Sequence, residues 1–404
     1  MNATPYQQLE NRMARLNALN EATEVLYWDM AAMMPSGGGE ARAEQLAALN
    51  AVTHGMMTAA DLPDLLDAAE ADTSLGSWQQ ANLAEIRHRW IKATALNEGL
   101  VEALTKASAA CEAKWRDARP AADFKSILPQ LSDLLDLVVE AGEAKAEKLG
   151  LSLHDALLDD FEPGGRTADI DTVFDDLSSF LPDFTQQVLD HQASQPPIQI
   201  PEGPFPIDKQ RELGKRLMDV VGFDFGHGRL DVSLHPFCGG VPDDVRITTR
   251  YDETDVTSSL MGVLHETGHA MYEMGLPKEW RGQPVGQSLG MSTHESQSLL
   301  IEMQVCRSEA FLQFAAPIMR DTFGGSGPAW EPDNLLRLYT RVEPGFIRVD
   351  ADEVTYPSHI ILRYRLEKAI LSGDLALADL PGAWNDGMKE LLGIVPPSDR
   401  EGGL

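Results

Sequence analysis

The segment LHETGHA, residues 264–270, carries more chemical information than any other part of this sequence. It places His265, Glu266 and His269 in the order H-E-x-x-H, the spacing found in zinc peptidases. An α-helix turns once every 3.6 residues, so the two histidines share one face with Cβ atoms about 5–6 Å apart and can converge on one zinc ion. Glu266 points away from that axis, yet it can reach a water molecule on the metal and act as a general base. The alternative is a pair of core histidines bonded to backbone carbonyls.

The residues around this segment favour a buried helix. Polar, turn-like residues at Tyr251–Ser259 precede an apolar stretch at 260–264. Gly268 is unusual inside such a helix, because glycine costs about 1 kcal/mol relative to alanine there. We therefore expect another backbone, from a strand or from a substrate, to approach the helix closely at this glycine.

A catalytic zinc site needs a third protein ligand and one open position. Glu295, within Gly290–Ser298, is the best candidate, because the apolar run after it predicts a second helix with this carboxylate in its first turn. Ser292 and Glu295 also match a capping box, so a helix cap is the alternative role for Glu295. His294 is a rival ligand, and a third histidine would indicate a different class of zinc site.

Composition narrows the class of protein. With 43% hydrophobic and 24% charged residues, the 404-residue chain is typical of a globular protein with one large or two moderate domains. No run approaches the ~18 uninterrupted apolar residues of a membrane helix, and the N-terminus lacks the apolar core of a signal peptide. The three cysteines show no Cys-x-x-Cys spacing, so we expect free thiols in a reducing, cytoplasmic setting.

The charge balance narrows the choice of partners. The sequence has 63 acidic and 33 basic residues, which gives a net charge of -30. Such a field repels nucleic acid and anionic membranes, so we expect neither as a partner. It can favour cationic peptides, although solubility is the simpler interpretation.

The order of patterns along the chain predicts two lobes. From Tyr6 to about Leu189, apolar residues recur every three or four positions, which is typical of helices, and no repeat period is visible. The segment Gln195–Phe205 contains four prolines and forbids regular helix. We predict an N-terminal helical lobe over 1–195 and a zinc-binding catalytic lobe over 207–404.

Strands are predicted just before the zinc helix. Leu230–His235 alternates, Val245–Tyr251 is rich in β-branched residues, and Phe237–Asp244 supplies turn residues between them. We expect a small antiparallel β-sheet beside the zinc helix. Its edge can line the site and hold an extended peptide by strand addition.

Several ordered motifs give the sequence a specific resemblance to a known family. Beside the zinc motif they are LYWDM at 26–30, HPF at 235–237, DVRIT at 244–248, HES at 294–296, and IR and AD within 347–352. Together they resemble the carboxypeptidase Taq family, the M32 metallopeptidases, over nearly the whole chain. The resemblance implies a mainly α, two-lobed gluzincin-type fold with a deep substrate groove and the metal at its floor. It also implies a cytoplasmic homodimer that removes C-terminal residues from peptides.

The resemblance also assigns residues. His265, His269 and Glu295 fall on the family's metal ligands, and Glu266 falls on its catalytic glutamate. The family continues past the glycine that aligns with Gly402 into a G-x-x-Q-D-x-H-W motif, whereas this sequence ends two residues later. We therefore expect a chain truncated at its C-terminus that lacks part of the family's substrate groove.

A carboxypeptidase must bind the carboxylate at the C-terminus of its substrate, and the bidentate fork of arginine suits that task. Arg348 is the first candidate and Arg246 the second; the alternative for each is an ion pair with a nearby aspartate. His235 can hydrogen-bond the substrate or stabilise an oxyanion, with a plain strand-end histidine as the alternative. Asp244 is expected either to orient a zinc-ligating histidine or to serve a turn.

The function predicted from the sequence is zinc-dependent metallocarboxypeptidase acting on peptides with a free C-terminus. Co²⁺ and Mn²⁺ can occupy similar sites of nitrogen and oxygen ligands. One alternative is a gluzincin aminopeptidase or endopeptidase, although no acidic or Gly-rich amine-binding motif lies near the zinc helix. A second is a catalytically impaired relative that binds zinc or peptide without turnover.

Overall fold

Helices dominate the structure, a computed structural model that describes residues 3–404. The α-helices are α1 Pro5–Ala32, α2 Gly39–Met57, α3 Leu62–Glu70, α4 Ser77–Ala95, α5 Glu98–Ala121, α6 Phe124–Leu149, α7 Leu153–Leu158, α8 Thr167–Ala193, α9 Ile207–Val221, α10 Val256–Gly275, α11 Met291–Leu299, α12 Glu309–Phe323, α13 Pro332–Tyr339, α14 Tyr356–Ser372 and α15 Leu380–Leu392. A π-helical segment follows α11 at Leu300–Cys306. Short 3₁₀ turns occur at Ser36–Gly38, Lys278–Trp280, Pro284–Gly286, Pro328–Trp330, Arg348–Asp350 and Leu377–Asp379. The prediction of a mainly α fold is confirmed.

These elements form two compact units, each built from two segments of chain. The first unit contains the chain up to Ala93 together with Ile198–Tyr339, and the second contains Thr94–Pro197 and Thr340–Leu404. The predicted lobes, 1–195 and 207–404, therefore each take residues from both units. The proline-rich segment predicted as a joint contains one of the crossings, between Pro197 and Ile198.

The small sheet is mixed, and the prediction that it is antiparallel was wrong for one of its two pairings. The strand order is β1-β3-β2, with β1 Gly228–Val232 parallel to β3 Asp244–Thr249. β2 Phe237–Val241 is antiparallel to β3 and forms an edge. The central position is taken by the β-branched segment β3, whose Ile247 is fully buried.

Strand β2 lies within the segment that the sequence analysis interpreted as a turn. Its glycines explain the misassignment, because Gly240 has φ of +81° and a Cβ there would stand 2.3 Å from the Asp244 carbonyl oxygen. Val241 pairs with Asp244, so only two residues form the turn of this hairpin. The predicted turn residues do form a turn, but it is the tight turn of the β2–β3 hairpin and not a long loop.

Helix α10 lies at the centre of the first unit's core. It begins at Val256, inside the stretch predicted as a turn, where Asp255 caps it by accepting the Thr257 and Ser258 amides. One face packs against α9 and α12, and Val263 and Ala270 pack against the sheet. Leu264 is fully buried. A helix held on several sides gives its polar side chains a fixed position.

No helix within residues 3–404 combines the length and the apolar character needed to span a membrane.

Candidate metal centre

His265 and His269 project from α10 towards α11 and meet Glu295 there. Their rings are 5.0 Å apart between centroids and nearly perpendicular. Glu295 Oε2 lies 3.7 Å from His265 Nε2 and 3.3 Å from His269 Nε2. Tetrahedral zinc with ligand bonds of about 2.0–2.1 Å separates its ligand atoms by about 3.3 Å. The three predicted ligands therefore stand at distances that one zinc ion can bridge.

The close approach predicted at Gly268 is present, but the approaching backbone belongs to helix α11 and not to a strand or a substrate. A Cβ at Gly268 would lie 2.6 Å from both the Gln297 carbonyl oxygen and the Ser298 Cα. Only glycine lets the two helices come this near without a shift of backbone. This contact between α10 and α11 fixes the distance of Glu295 from the two histidines.

Glu295 does not act as a helix cap. Helix α11 begins at Met291 after Gly290, and no side chain of the described residues caps that end. Glu295 is thus in the second turn, not the first as predicted, because the helix starts earlier than the Ser292 capping-box pattern implies. Its hydrogen bonds with His269 lower the pKa of this carboxyl despite its partial burial. The carboxylate faces the histidines in its charged form.

Glu266 is buried, with 7% of its surface exposed. Burial raises its pKa, the neighbouring histidines oppose that rise, and Glu295 and Glu302 add to it. A carboxylate whose pKa is raised is a stronger base than a free one, which suits a general base.

Glu302 is a residue of the site that the sequence analysis missed. Its Oε2 lies 2.9 Å from His265 Nδ1, and its other oxygen accepts a hydrogen bond from Arg307. Arg307 is held in turn by the Tyr339 carbonyl at 3.2 Å. A carboxylate behind a ligating histidine fixes the ring and its tautomer. The available signal was spacing, because Glu302 follows Glu295 by seven residues, two helical turns along one face.

His294 does not stand among the three convergent ligand atoms. Its Nδ1 lies 2.6 Å from His269 Nδ1, and its Nε2 lies 2.8 Å from Glu273 Oε1. The alternative role of His294 as a metal ligand is not supported by this geometry, since the group of ligand atoms within 4.8 Å of one another contains His265, His269 and Glu295 but not His294. The edge of Tyr272 packs against the same ring at 5.2 Å.

Arg246 forms the ion pair that was its alternative role. Its Nε and Nη2 lie 3.1 and 2.6 Å from the two oxygens of Asp244, and its guanidinium stacks 4.2 Å from the Trp28 ring centre. The hydrogen bond from Arg246 holds the pKa of Asp244 below its usual value. Asp244 therefore pairs with Arg246. The carboxylate that contacts a histidine of the proposed site is that of Glu302, not that of Asp244.

The other two predicted substrate residues lie in different surroundings. His235 is exposed in the loop between β1 and β2, and its carbonyl accepts the Ser233 hydroxyl at 2.5 Å. Arg348, in the second unit, donates to the Tyr356 hydroxyl and lies 5.4 Å from that ring centre. Its predicted ion pair with an aspartate is not found among residues 3–404. Asp352 instead caps the amides of Val354 and Thr355.

A cavity of about 490 Å³ in the first unit lies next to the proposed metal ligands, and none of the three lines it. Its lining comes from helix α1, the edge strand β2 and the end of α10, together with Arg281, Gly282, Gly286, Gln287, Ser288 and His294. Glu273 and His294 form the part of its wall nearest His269. The edge of β2 faces this space through Gly239 and Gly240.

Comparison with known proteins identifies the family. The family model described as carboxypeptidase Taq (M32) metallopeptidase matches residues 8–404. The chain belongs to this M32 family. The resemblance stated from the sequence motifs is thereby confirmed, and it places the chain among metal-dependent carboxypeptidases that act on peptides.

Relatives within the M32 family are similar along nearly all of this chain. Thermostable carboxypeptidase 1 of Thermus thermophilus is 36% identical over 386 residues, covering 93% of this chain and 75% of that protein. Carboxypeptidase 1 of Bacillus subtilis is 32% identical, covering 96% of this chain and 78% of that protein. Among solved structures, Trypanosoma cruzi metallocarboxypeptidase 1 superposes with a TM-score of 0.96 at 40% identity, covering 99% of this chain and 80% of that one.

Proposed function

We propose that this M32 chain is a zinc-dependent carboxypeptidase that releases C-terminal residues from peptides. His265, His269 and Glu295 are proposed as the metal ligands and Glu266 as the general base. The observation that carries the proposal is the convergence of Glu295 Oε2 on the two Nε2 atoms at 3.7 and 3.3 Å. Two imidazoles and one carboxylate are the donor set of a catalytic zinc site with one open position.

The chemistry follows from the burial and charge of these side chains. When bound, zinc would polarise the scissile carbonyl and make a water molecule more acidic. Glu266 removes a proton from the attacking water and transfers it to the leaving amine, and its raised pKa makes it a stronger base than a free carboxylate. Glu302 keeps the His265 ring in place while the charge in the site changes.

Substrate contacts form the second part of the proposal. The half-buried edge of β2 beside the cavity can hold an extended peptide through backbone hydrogen bonds. Arg348 is the first candidate for the substrate carboxylate, because an aromatic hydroxyl and not an aspartate engages its guanidinium. Arg246 ranks below it, since Asp244 already occupies Nε and Nη2. His235 is proposed as a further hydrogen-bonding group at the exposed end of the strand.

The metal ion, the oligomeric state and the cellular compartment are also proposed. Zinc is the proposed metal, and Co²⁺ or Mn²⁺ can take its place in a site of this type. A homodimer in the cytoplasm is proposed from the family resemblance. The free state of Cys111, Cys238 and Cys306 supports a reducing compartment.

The test is a mass-spectrometric time course with zinc-loaded protein. The substrate is a peptide with a blocked N-terminus and a free C-terminus; a second peptide has a free N-terminus and an amidated C-terminus. We expect a ladder that shortens from the C-terminus of the first peptide only. Glu266→Gln should abolish the ladder, and Glu279→Gln, at an exposed glutamate of the same unit, should leave it unchanged.

Each alternative function has its own signature in this experiment. Trimming of the amidated peptide from its free N-terminus would indicate an aminopeptidase, and internal fragments would indicate an endopeptidase. Bound zinc without cleavage of either peptide would overturn the proposed activity and favour the impaired, zinc-binding relative.

A further inference from the structure

His269 and His294 contact each other through their Nδ1 atoms, which are 2.6 Å apart. The opposite nitrogen of His294, Nε2, lies 2.8 Å from Glu273 Oε1. Glu273 follows His269 by one helical turn on α10, and His294 immediately precedes Glu295 on α11. Three side chains from two helices thus form a continuous chain of hydrogen bonds that ends at a proposed metal ligand.

The position of every proton in this chain follows from the ligand geometry. The nitrogen of His269 that faces Glu295 is Nε2, so with a metal bound this atom would offer its lone pair to the metal and Nδ1 would carry the hydrogen. Nδ1–H of His269 then donates to His294 Nδ1, which must be unprotonated. A neutral His294 therefore carries its hydrogen on Nε2 and donates it to the Glu273 carboxylate.

The two proposed histidine ligands are consequently supported in different ways. His265 has a carboxylate, Glu302, in direct contact. His269 contacts His294 through Nδ1, and the carboxylate of Glu273 contacts the other nitrogen of the His294 ring. The rings of Tyr272 and His294 pack perpendicular to each other with centroids 5.2 Å apart, which limits rotation of the His294 ring. Because His294 has a partner at each ring nitrogen and packs against Tyr272, its ring is fixed and can in turn fix the orientation of the His269 ring.

We propose that His294 is a positioning residue that fixes the tautomer and ring orientation of the metal ligand His269, and that Glu273 fixes His294 in turn. The inference rests on the proposed function, because it needs His265, His269 and Glu295 to bind a metal. It goes beyond that function by giving a role to two residues that are not ligands.

Paired substitutions separate hydrogen bonding from mere packing. In His294→Asn, the amide oxygen takes roughly the place of Nδ1 and can accept the bond from His269, whereas His294→Leu removes the acceptor. In Glu273→Gln, the amide oxygen can accept the bond from His294 Nε2, whereas Glu273→Ala cannot. His54→Asn, at an exposed histidine of α2, and Glu279→Gln are the matched controls.

The measurement is the zinc dissociation constant, obtained by competition with a chromophoric chelator and without any peptide. We expect His294→Leu and Glu273→Ala to raise it about 10- to 100-fold, the usual effect of removing a residue that supports a ligand. His294→Asn and Glu273→Gln should restore most of the affinity. The unfolding temperature of the metal-free protein should change little in all four variants, which a purely structural role would not predict.

Two results would overturn the proposal. The first is a wild-type zinc dissociation constant in His294→Leu and Glu273→Ala. The second is a visible absorption spectrum of Co²⁺-loaded His294→Asn that shows the loss of one ligand, because His294 would then bind the metal directly. If His294→Leu does not fold, Glu273→Ala answers the question alone. Failure of the wild-type chain to bind zinc would instead defeat the proposed function itself.

Discussion

Glu302 Oε2 stands 2.9 Å from His265 Nδ1, on the side of the ring that faces away from Glu295. The same carboxylate holds Arg307, and both side chains are largely buried. Glu302→Leu should weaken zinc binding about 10- to 100-fold, since the ring loses its orienting partner. It should also destabilise the protein by on the order of 3 kcal/mol, because Arg307 is left without its carboxylate. Chelator competition and urea unfolding measure the two effects.

The conservative variant Glu302→Gln serves as the control for this prediction. Its amide oxygen can still accept the His265 Nδ1–H bond, so the loss of zinc affinity should be smaller. Equal zinc affinity in wild type and Glu302→Leu would show that His265 needs no such partner.

Gly268→Ala tests the helix contact that sets the position of Glu295. Alanine is favoured over glycine by about 1 kcal/mol inside a helix. At Gly268, however, the added methyl would meet the Gln297 carbonyl at 2.6 Å and push α11 away. We expect lower stability and weaker zinc binding, measured by thermal unfolding with and without zinc.

A matched glycine in the same helix provides the comparison. A Cβ added at Gly262 would meet no neighbouring atom within 4 Å. Gly262→Ala should therefore leave zinc binding unchanged and stabilise the protein by up to about 1 kcal/mol. If Gly268→Ala behaved in the same way, the close approach of α11 would not be what positions Glu295.

Arg246→Ala should act on stability more than on substrate binding. The guanidinium pairs with Asp244 and stacks 4.2 Å from the Trp28 ring centre, so its removal should cost on the order of 1 kcal/mol. The Michaelis constant for a C-terminally free peptide should stay within about twofold of wild type. A Michaelis constant raised tenfold with unchanged stability would return Arg246 to the substrate site.

His359 should make the protein less stable in mild acid. The residue is fully buried, and burial together with the charges of Arg363 and Arg348 lowers its pKa to about 4 from a model-peptide value of 6.5. The unfolded chain therefore binds a proton that the folded chain refuses between those pH values. Stability is complete above about pH 6.5 and is lost as the pH falls towards about 4.

The measurement is urea unfolding at several pH values between about 7 and 5. His359→Leu should show a flatter dependence on pH than wild type, and the exposed-site variant His54→Asn should keep the wild-type slope. An unchanged slope in His359→Leu would assign the acid sensitivity to other groups.

The three thiols should react slowly in the folded protein. Burial raises the pKa of the fully buried Cys306 to about 12, and burial also raises the pKa values of Cys238 and Cys111. Little thiolate is then present near pH 8, so a thiol reagent should label the native protein slowly and all three cysteines after unfolding. Rapid labelling of one or more cysteines per chain in the native protein would contradict this expectation.

Much of the fold was predictable because its signals are local. Helical periodicity marked the stretch from Tyr6 to about Leu189, where α1 to α8 lie, because a helix that buries one face records that face in the spacing of its apolar residues. The mixed sheet was not predictable in the same way. Which strand occupies the centre depends on how β1 and β3 pack beneath α10, and alternation along one strand carries no record of its neighbours.

The sequence by itself determined which side chains the proposed site can use: two histidines one helical turn apart, a glutamate between them, and a glutamate on a second helix. Helical periodicity is enough to place the first three side chains, because they share one continuous helix. Only the tertiary structure decided that Glu302 stands behind His265 and that His294 and Glu273 stand behind His269. Those contacts join separate helical segments, and the distance between two helices is set by packing, here by the absence of a side chain at Gly268.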